Sequence, residues 1–234
     1  HKEKVLDKSD VIKEYNKKGY HFIDPIEVRS GKEATVFEAQ GTDKIYALKI
    51  YTDLEMRSFK HTEDYLEGKF VKSHSLKRGI SRGSSFAKKA VHENWVKREY
   101  VLLKKLYELG AGVPAVYDWT ATSILMDFIG DKNNPAPRLV DVTISKDVAK
   151  KYFHSVLHFI TIALEAGIVH SDLSAYNILV WEDEIFIIDL PQAVDIRQSP
   201  NVEKLLRRDI DNVVSYFKKY IEIDTEEIYA SFGL

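Results

Sequence analysis

Apolar and polar positions along the chain change period more than once. Over residues 7–18, Val11, Ile12 and Tyr15 recur at helical spacing, and Gly19 and Pro25 close the segment. From 26 to 51 the period drops to two, predicting strands at Glu27-Val28, Thr35 to Ala39 and Lys44 to Tyr51, with a turn at Gly41-Thr42-Asp43. A helix is predicted over 91–109, stopped by Gly110, and a short strand over Ile124 to Phe128. The proline-bearing stretch Asn133 to Pro137 reads as a linker between two lobes. A long helix from Asp147 to Ala166 ends at Gly167. Strands at Ile178–Trp181 and Ile185–Ile188 and a last helix from Val202 to Ile221 follow. Strands come first and helices second, which is α+β in two lobes.

Two charged residues break this pattern. Ile45, Ala47, Lys49 and Tyr51 share one strand face, while Tyr46, Leu48 and Ile50 share the other. Both faces are largely apolar, so Lys49 is expected to be partly buried and to need a partner; the alternative is a lysine snorkelling from an edge strand. On the 91–109 helix the apolar stripe runs Trp95, Leu102, Leu106, Leu109, and Glu99 falls on it. A carboxylate there is costly unless paired. Lys49 and Glu99 answer each other's need, in the manner of the strand-lysine and helix-glutamate pair with which kinases orient phosphates.

The second lobe carries a matching signal. In His170-Ser171-Asp172-Leu173-Ser174-Ala175-Tyr176-Asn177 an Asp precedes an Asn by five residues, the spacing of a kinase catalytic loop. Asp189 follows twelve residues later. With the hairpin centred on Asp183, Asn177 would oppose Asp189, with Cβ atoms roughly 4.5–5.5 Å apart. Two such hard oxygen ligands can chelate Mg²⁺. An ordinary hairpin with polar ends is the other reading. Ahead of these, Ser30-Gly31-Lys32-Glu33 lies between two strands and can offer backbone N–H groups and a hydroxyl to phosphate.

Composition narrows the class. The 234 residues are 44% hydrophobic, enough for one compact unit or two small lobes, and the net charge of −2 sets up no field toward nucleic acid or membrane. The absence of cysteine excludes disulfides and thiolate chemistry. No apolar run reaches 18 residues, and a cytoplasmic monomer is the expectation. The segment from Lys69 to Lys89 holds Lys72, Lys77, Arg78, Arg82 and Lys88 and no acid. It reads as a solvated surface loop or as a contact for substrate or RNA. His154 and His158, four apart on one helix, lack a third ligand.

The motifs Ser-Gly-Lys-Glu-Ala-Thr-Val at 30–36, Leu-Lys-Ile-Tyr at 48–51, His-Ser-Asp-Leu-Ser-Ala-Tyr-Asn at 170–177 and Ile-Ile-Asp-Leu-Pro-Gln-Ala-Val at 187–194 resemble the RIO family of atypical protein kinases, the Rio1 branch in particular. Trp95 with Glu99, Phe128-Ile129-Gly130, Pro135-Ala136-Pro137 and Leu206-Arg207-Arg208-Asp209 match as well. The likeness runs from about residue 20 to 220.

It implies one kinase domain over 1–234, with a first lobe near 20–130, a second near 131–234 and a flexible loop before the first-lobe helix, near 71–90. No activation segment or substrate-binding subdomain is implied. It implies ATP with Mg²⁺ or Mn²⁺, held by Ser30, Gly31, Lys32, Lys49, Glu99, Asp127 and Ile129, with Asp172 and Asp189 catalytic and Asn177 and Asp189 on the metal. It further implies serine autophosphorylation and a ribosomal pre-subunit as partner. An ATPase switch through a phospho-aspartate at Asp189 is one alternative. A small-molecule kinase of the aminoglycoside or choline type is another, though Ser174 stands where those carry His. Ser171 and Ala175 depart from the family's usual Ala and Glu, and Leu190-Pro191-Gln192 replaces Phe-Gly.

Overall fold

A computed structural model describes residues 8–31, 33–52 and 85–234. Lys32 of the predicted phosphate turn and residues 69–84 of the basic segment lie outside the described residues. The chain divides into two compact units: residues up to Leu102 with Ala115–Pro135, and Leu103–Pro114 with Ala136–Leu234.

The first unit is built on strands β1 (Ile26–Ser30), β2 (Ala34–Gln40), β3 (Ile45–Tyr51), β4 (Val116–Thr120) and β5 (Ser123–Asp127). They form one antiparallel sheet in the order β1-β2-β3-β5-β4. Strand β3 is therefore central, and Lys49 does not snorkel from an edge. Alternation sorts the sheet into two faces. Phe37, Ala39, Leu48, Ile50 and Leu125 form a core with Val11 and Tyr15 of helix α1 (Lys8–Lys17) and with Phe22. The Tyr15 hydroxyl is buried against Ser123 Oγ at 2.9 Å, which anchors the helix to the sheet. Asn16 pins the chain beyond the helix, bonding the Phe22 carbonyl and N–H at 2.9 and 2.7 Å. The opposite face carries Val36, Glu38, Ala47 and Lys49, with Ile124 and Met126 paired to Lys49 and Ala47.

Helix α2 (Ser85–Glu108) begins six residues before its predicted start. It ends before Leu109, which is 47% exposed and off the buried stripe that sequence spacing assigns to it. The predicted linker is a tight hairpin of β6 (Gly130–Asp131) and β7 (Asn134–Pro135), turning through Asn133 at φ +58°.

The second unit centres on α3 (Lys146–Glu165) and α4 (Val202–Phe217), each amphipathic; Phe153 of α3 meets Phe217 of α4 with ring centroids 5.4 Å apart. Ser145 caps α3 by accepting from the Val148 N–H. Helix α5 (Thr225–Ser231), capped by Asp224, follows α4. Strand β8 (Ile168–Val169) pairs with β11 (Val194–Asp195), and β9 (Ile178–Trp181) pairs with β10 (Glu184–Ile187).

The β9–β10 hairpin corrects the predicted register. Trp181 pairs with Glu184, so the turn is the two residues Glu182 and Asp183, both at positive φ (+48° and +62°). The centre falls between them, not on Asp183. Asn177 thus lies across from Ile188, whose N–H donates to the Asn177 carbonyl at 2.9 Å. Asp189, at φ +62°, leaves the ladder. Among the described residues no helix is long and apolar enough to cross a membrane.

Candidate active site

Lys49 sits mid-sheet, its backbone fixed by ladders to β2 and β5. Its side chain lies on the face away from α1, where Glu99 of α2 meets it, Nζ to Oε1 at 2.9 Å. Both residues are buried, as are Trp95 and Leu102 on either side of Glu99 along the helix. Two charges out of water repay their desolvation only when held against each other. The Tyr51 ring, 5.1 Å from Nζ, adds its face to the ammonium.

In the β1–β2 turn Ser30 and Gly31 are exposed. The Gly31 N–H bonds the Ala34 carbonyl at 2.9 Å, and Ser30 Oγ lies 3.3 Å from Thr35 Oγ1. Among the described residues a Cβ on Gly31 would meet the Ala34 carbonyl alone, at 3.6 Å, an ordinary contact. At the far end of β5 the Asp127 carboxylate is engaged by Lys44 at 2.9 Å and by the Tyr117 hydroxyl, and its N–H bonds Ala115. Ile129, half-buried, follows two residues on.

The loop from His170 to Asn177 leaves β8 and is clamped from several sides. The Asp172 N–H donates to His170 Nδ1 at 3.1 Å. The Asp209 carboxylate on α4 accepts from the N–H groups of Ser171 (2.8 Å) and Leu173 (3.1 Å). Arg208 donates to the Ser171 carbonyl, and the Ser171 hydroxyl to that of Gln192. These bonds hold Ser171 at φ +71°, a conformation rarely adopted without a side-chain penalty. Ser171 is thus structural in a way that its departure from the family's usual residue did not suggest. Asn177 Nδ2 donates to the Asp172 carbonyl at 2.6 Å, while its Oδ1 accepts from the Ser174 N–H at 2.9 Å.

Leu173, Ala175 and Asn177 are buried, which leaves Asp172 and Tyr176 exposed. Partial desolvation raises the Asp172 carboxyl above its ordinary value; Arg208 opposes this and the Asp189 charge adds to it. Burial pushes Asp209 up to about 6, against the pull of its two N–H donors and of Arg208.

The donor set fits a small hard cation. Asn177 Oδ1 keeps a second lone pair beyond its bond to Ser174, Asp189 brings an exposed carboxylate, and the repulsion between Asp189 and Asp172 is the kind a divalent ion relieves. His154 and His158 are exposed, and the described residues contain no group of three His, Cys, Asp or Glu suited to a metal.

The RIO domain model matches residues 35–228. This chain belongs to the RIO family. A Haloferax volcanii protein named RIO-type serine/threonine-protein kinase Rio1 is 33% identical over 211 residues, 86% of this chain and 66% of that one. A Caenorhabditis elegans serine/threonine-protein kinase RIO1 is 33% identical over 193 residues, 82% of this chain and 36% of that one. A Thermoplasma acidophilum Rio1 is 31% identical over 82% of this chain and 96% of its own length. This chain therefore spans somewhat under two thirds of the Haloferax relative and about a third of the nematode one. The crystal structure of a kinase domain aligns with a TM-score of 0.57 at 13% identity, covering 88% of this chain and 68% of that domain. The fold is kinase-like, α+β, and the RIO relatives are named as serine/threonine kinases, a class that uses ATP with a divalent metal.

Within the RIO fold, the predicted site residues fall into two groups, one in each unit. Lys49 and Glu99 are in contact, with Ser30, Gly31, Asp127 and Ile129 elsewhere in the first unit. Asp172, Asn177 and Asp189 gather in the second. The sequence presents Asp209 only as part of the Leu206-Arg207-Arg208-Asp209 motif, with no role of its own. Its signal was the one that exposed Glu99, an acid on an apolar helical line, here Leu206, Ile210, Val213 and Phe217.

Proposed function

We propose that this chain is an ATP- and Mg²⁺-dependent serine/threonine protein kinase of the RIO type, which phosphorylates itself on serine and hydrolyses ATP beside that reaction. The buried Lys49–Glu99 pair carries the reading. An ammonium fixed mid-sheet and ion-paired to a buried carboxylate is suited to serve an anion, and family membership makes that anion the ATP phosphates. On this reading Ser30, Gly31 and Lys32 form the phosphate turn. The Asp127 carbonyl takes the exocyclic amine of adenine and the Ile129 N–H its ring nitrogen. Asn177 and Asp189 hold Mg²⁺, for which Mn²⁺ can substitute. The metal supplies neutralisation of phosphate charge.

Asp172 orients the acceptor hydroxyl and takes its proton as the phosphoryl group transfers. Its exposure suits a residue that must meet an incoming serine. Membership in the RIO family argues against the aminoglycoside-type reading. We extend the proposal to a cytoplasmic monomer that acts on a small ribosomal subunit precursor, on the family likeness.

One observation favours a second output. Asp189 leaves its strand at φ +62° with an exposed carboxylate. That carboxylate could attack the γ-phosphorus, forming an acyl phosphate as the bond to ADP breaks. Incubation with γ-labelled ATP followed by hydroxylamine separates the two outputs. The expected result is hydroxylamine-resistant label on serine that falls about 100-fold or more in Asp172→Ala. Label that is wholly hydroxylamine-sensitive, and that rises in Asp172→Ala, would overturn serine transfer in favour of the acyl phosphate.

A further inference from the structure

Among the described residues the sheet face that carries Lys49 holds two more charged side chains, the half-buried Arg29, which pairs with Val36 from β1, and the buried Glu38. Register places Val36 opposite Lys49 and Glu38 opposite Ala47, and residues two apart share a face. Glu38 therefore stands beside Ala47, about 7 Å along β2 from Val36 and further from the Ser30–Ala34 turn. It is only 7% exposed. Among the described residues the one hydrogen bond to its carboxylate is from the Asn133 N–H, at 3.0 Å, in the turn of the β6–β7 hairpin.

A single neutral donor does not account for a buried charge. A glutamine oxygen would accept from Asn133 equally well without the cost of desolvating a carboxylate. The second carboxylate oxygen retains acceptor capacity. It can take a further donor, and Glu38 can only accept.

The next step rests on the ATP reading above. If Lys49 takes the phosphates, then Glu38, further from the phosphate turn, lies toward the nucleoside. An adenine nucleotide has three donors there: the exocyclic amine and two sugar hydroxyls. The amine is taken by the Asp127 carbonyl on that reading. We propose that Glu38 is a specificity-determining residue that accepts a hydrogen bond from a ribose hydroxyl of the bound nucleotide, held in place by its bond to Asn133. It makes the site selective for ribonucleotides over deoxyribonucleotides.

ADP tests this without turnover. Calorimetric titration of the full chain with ADP, 2′-deoxy-ADP and 3′-deoxy-ADP, each with Mg²⁺, gives the affinity ratios. The wild type should bind ADP about tenfold or more tightly than one of the deoxy forms, as expected for a bond to a charged acceptor. Glu38→Ala should bring that ratio toward one by weakening ADP alone. Glu38→Gln, which keeps an acceptor for Asn133, should lower the ratio several-fold while amide exchange at Asn133 stays as in the wild type. A wild-type ratio of one, or a ratio unchanged in both variants, would reduce Glu38 to a brace for the hairpin and leave ATP binding standing. Failure of the wild type to bind ADP at all would overturn the ATP reading and this inference together.

Discussion

Lys49 Nζ and Glu99 Oε1 stand 2.9 Å apart with side chains 5% and 1% exposed, one on a central strand and the other on a helix that crosses its face. Breaking such a pair from one side strands a charge. Glu99→Gln should cost about 1–3 kcal/mol in urea unfolding and depress ATP turnover. Replacing both residues, Lys49→Met with Glu99→Leu, should recover most of that stability and none of the turnover. Normal turnover in Glu99→Gln would show that the pair is structural only.

Asp189 combines a ligand's chemistry with a left-handed backbone. Asparagine tolerates that conformation, so Asp189→Asn should keep the fold while removing the charge. The melting temperature should move little and divalent-dependent turnover should be abolished. Full activity at ordinary Mg²⁺ concentration would remove Asp189 from the metal.

Asp209 gives the protein a pH signature. Its native value of about 6 lies above the ordinary 3.8 because it is buried, so between those values the native state holds a proton that the unfolded chain has released. Stability then falls as pH rises through that window, by about 3 kcal/mol in all. Asp209→Asn lacks this slope, so the stability difference between wild type and variant should shrink from pH 4 to pH 7. The variant should also show a loss at every pH, since an amide offers one oxygen where the N–H groups of Ser171 and Leu173 need two acceptors. Parallel pH profiles for the two proteins would contradict the assignment.

The β9–β10 turn is a place to gain stability. Glu182 and Asp183 both occupy the left-handed region, where Asn and Gly are at ease. Glu182→Asn with Asp183→Gly should stabilise the second unit by about 1 kcal/mol after the entropy cost of glycine, raising its melting temperature by roughly 2–4 °C. A lower melting temperature would mean that these side chains contribute something the backbone does not reveal.

The turn also shows where sequence reading stops. Lys49 and Glu99 were legible because each is a charge on an apolar line, and periods of 2 and 3.6 make such lines visible in one dimension. The hairpin register was not. Glu-Asp carries none of the glycine or asparagine that marks a two-residue turn, and a shift of half a residue in the centre moved the partner of Asn177 from Asp189 to Ile188. Strand β4 was missed because Val-Tyr-Asp-Trp-Thr contains a register irregularity that breaks its alternation. Asp209 and Glu38 were missed although both followed the Glu99 rule. They lack an obvious partner side chain in the sequence, because each is bonded to backbone N–H groups.

The packing of α1 on the sheet bears on where this protein can be cut. The family match opens at residue 35, inside β2, and so omits α1 and β1. A fragment trimmed to that boundary would lose the hydrogen-bonding partner of β2. It would also strip Val11, Tyr15 and Phe22 from Phe37, Leu48, Ile50 and Leu125, leaving an apolar sheet face and a raw strand edge in water together. Expression boundaries for this domain therefore belong before Lys8, and a shorter fragment that precipitates would say nothing about the chemistry of Lys49.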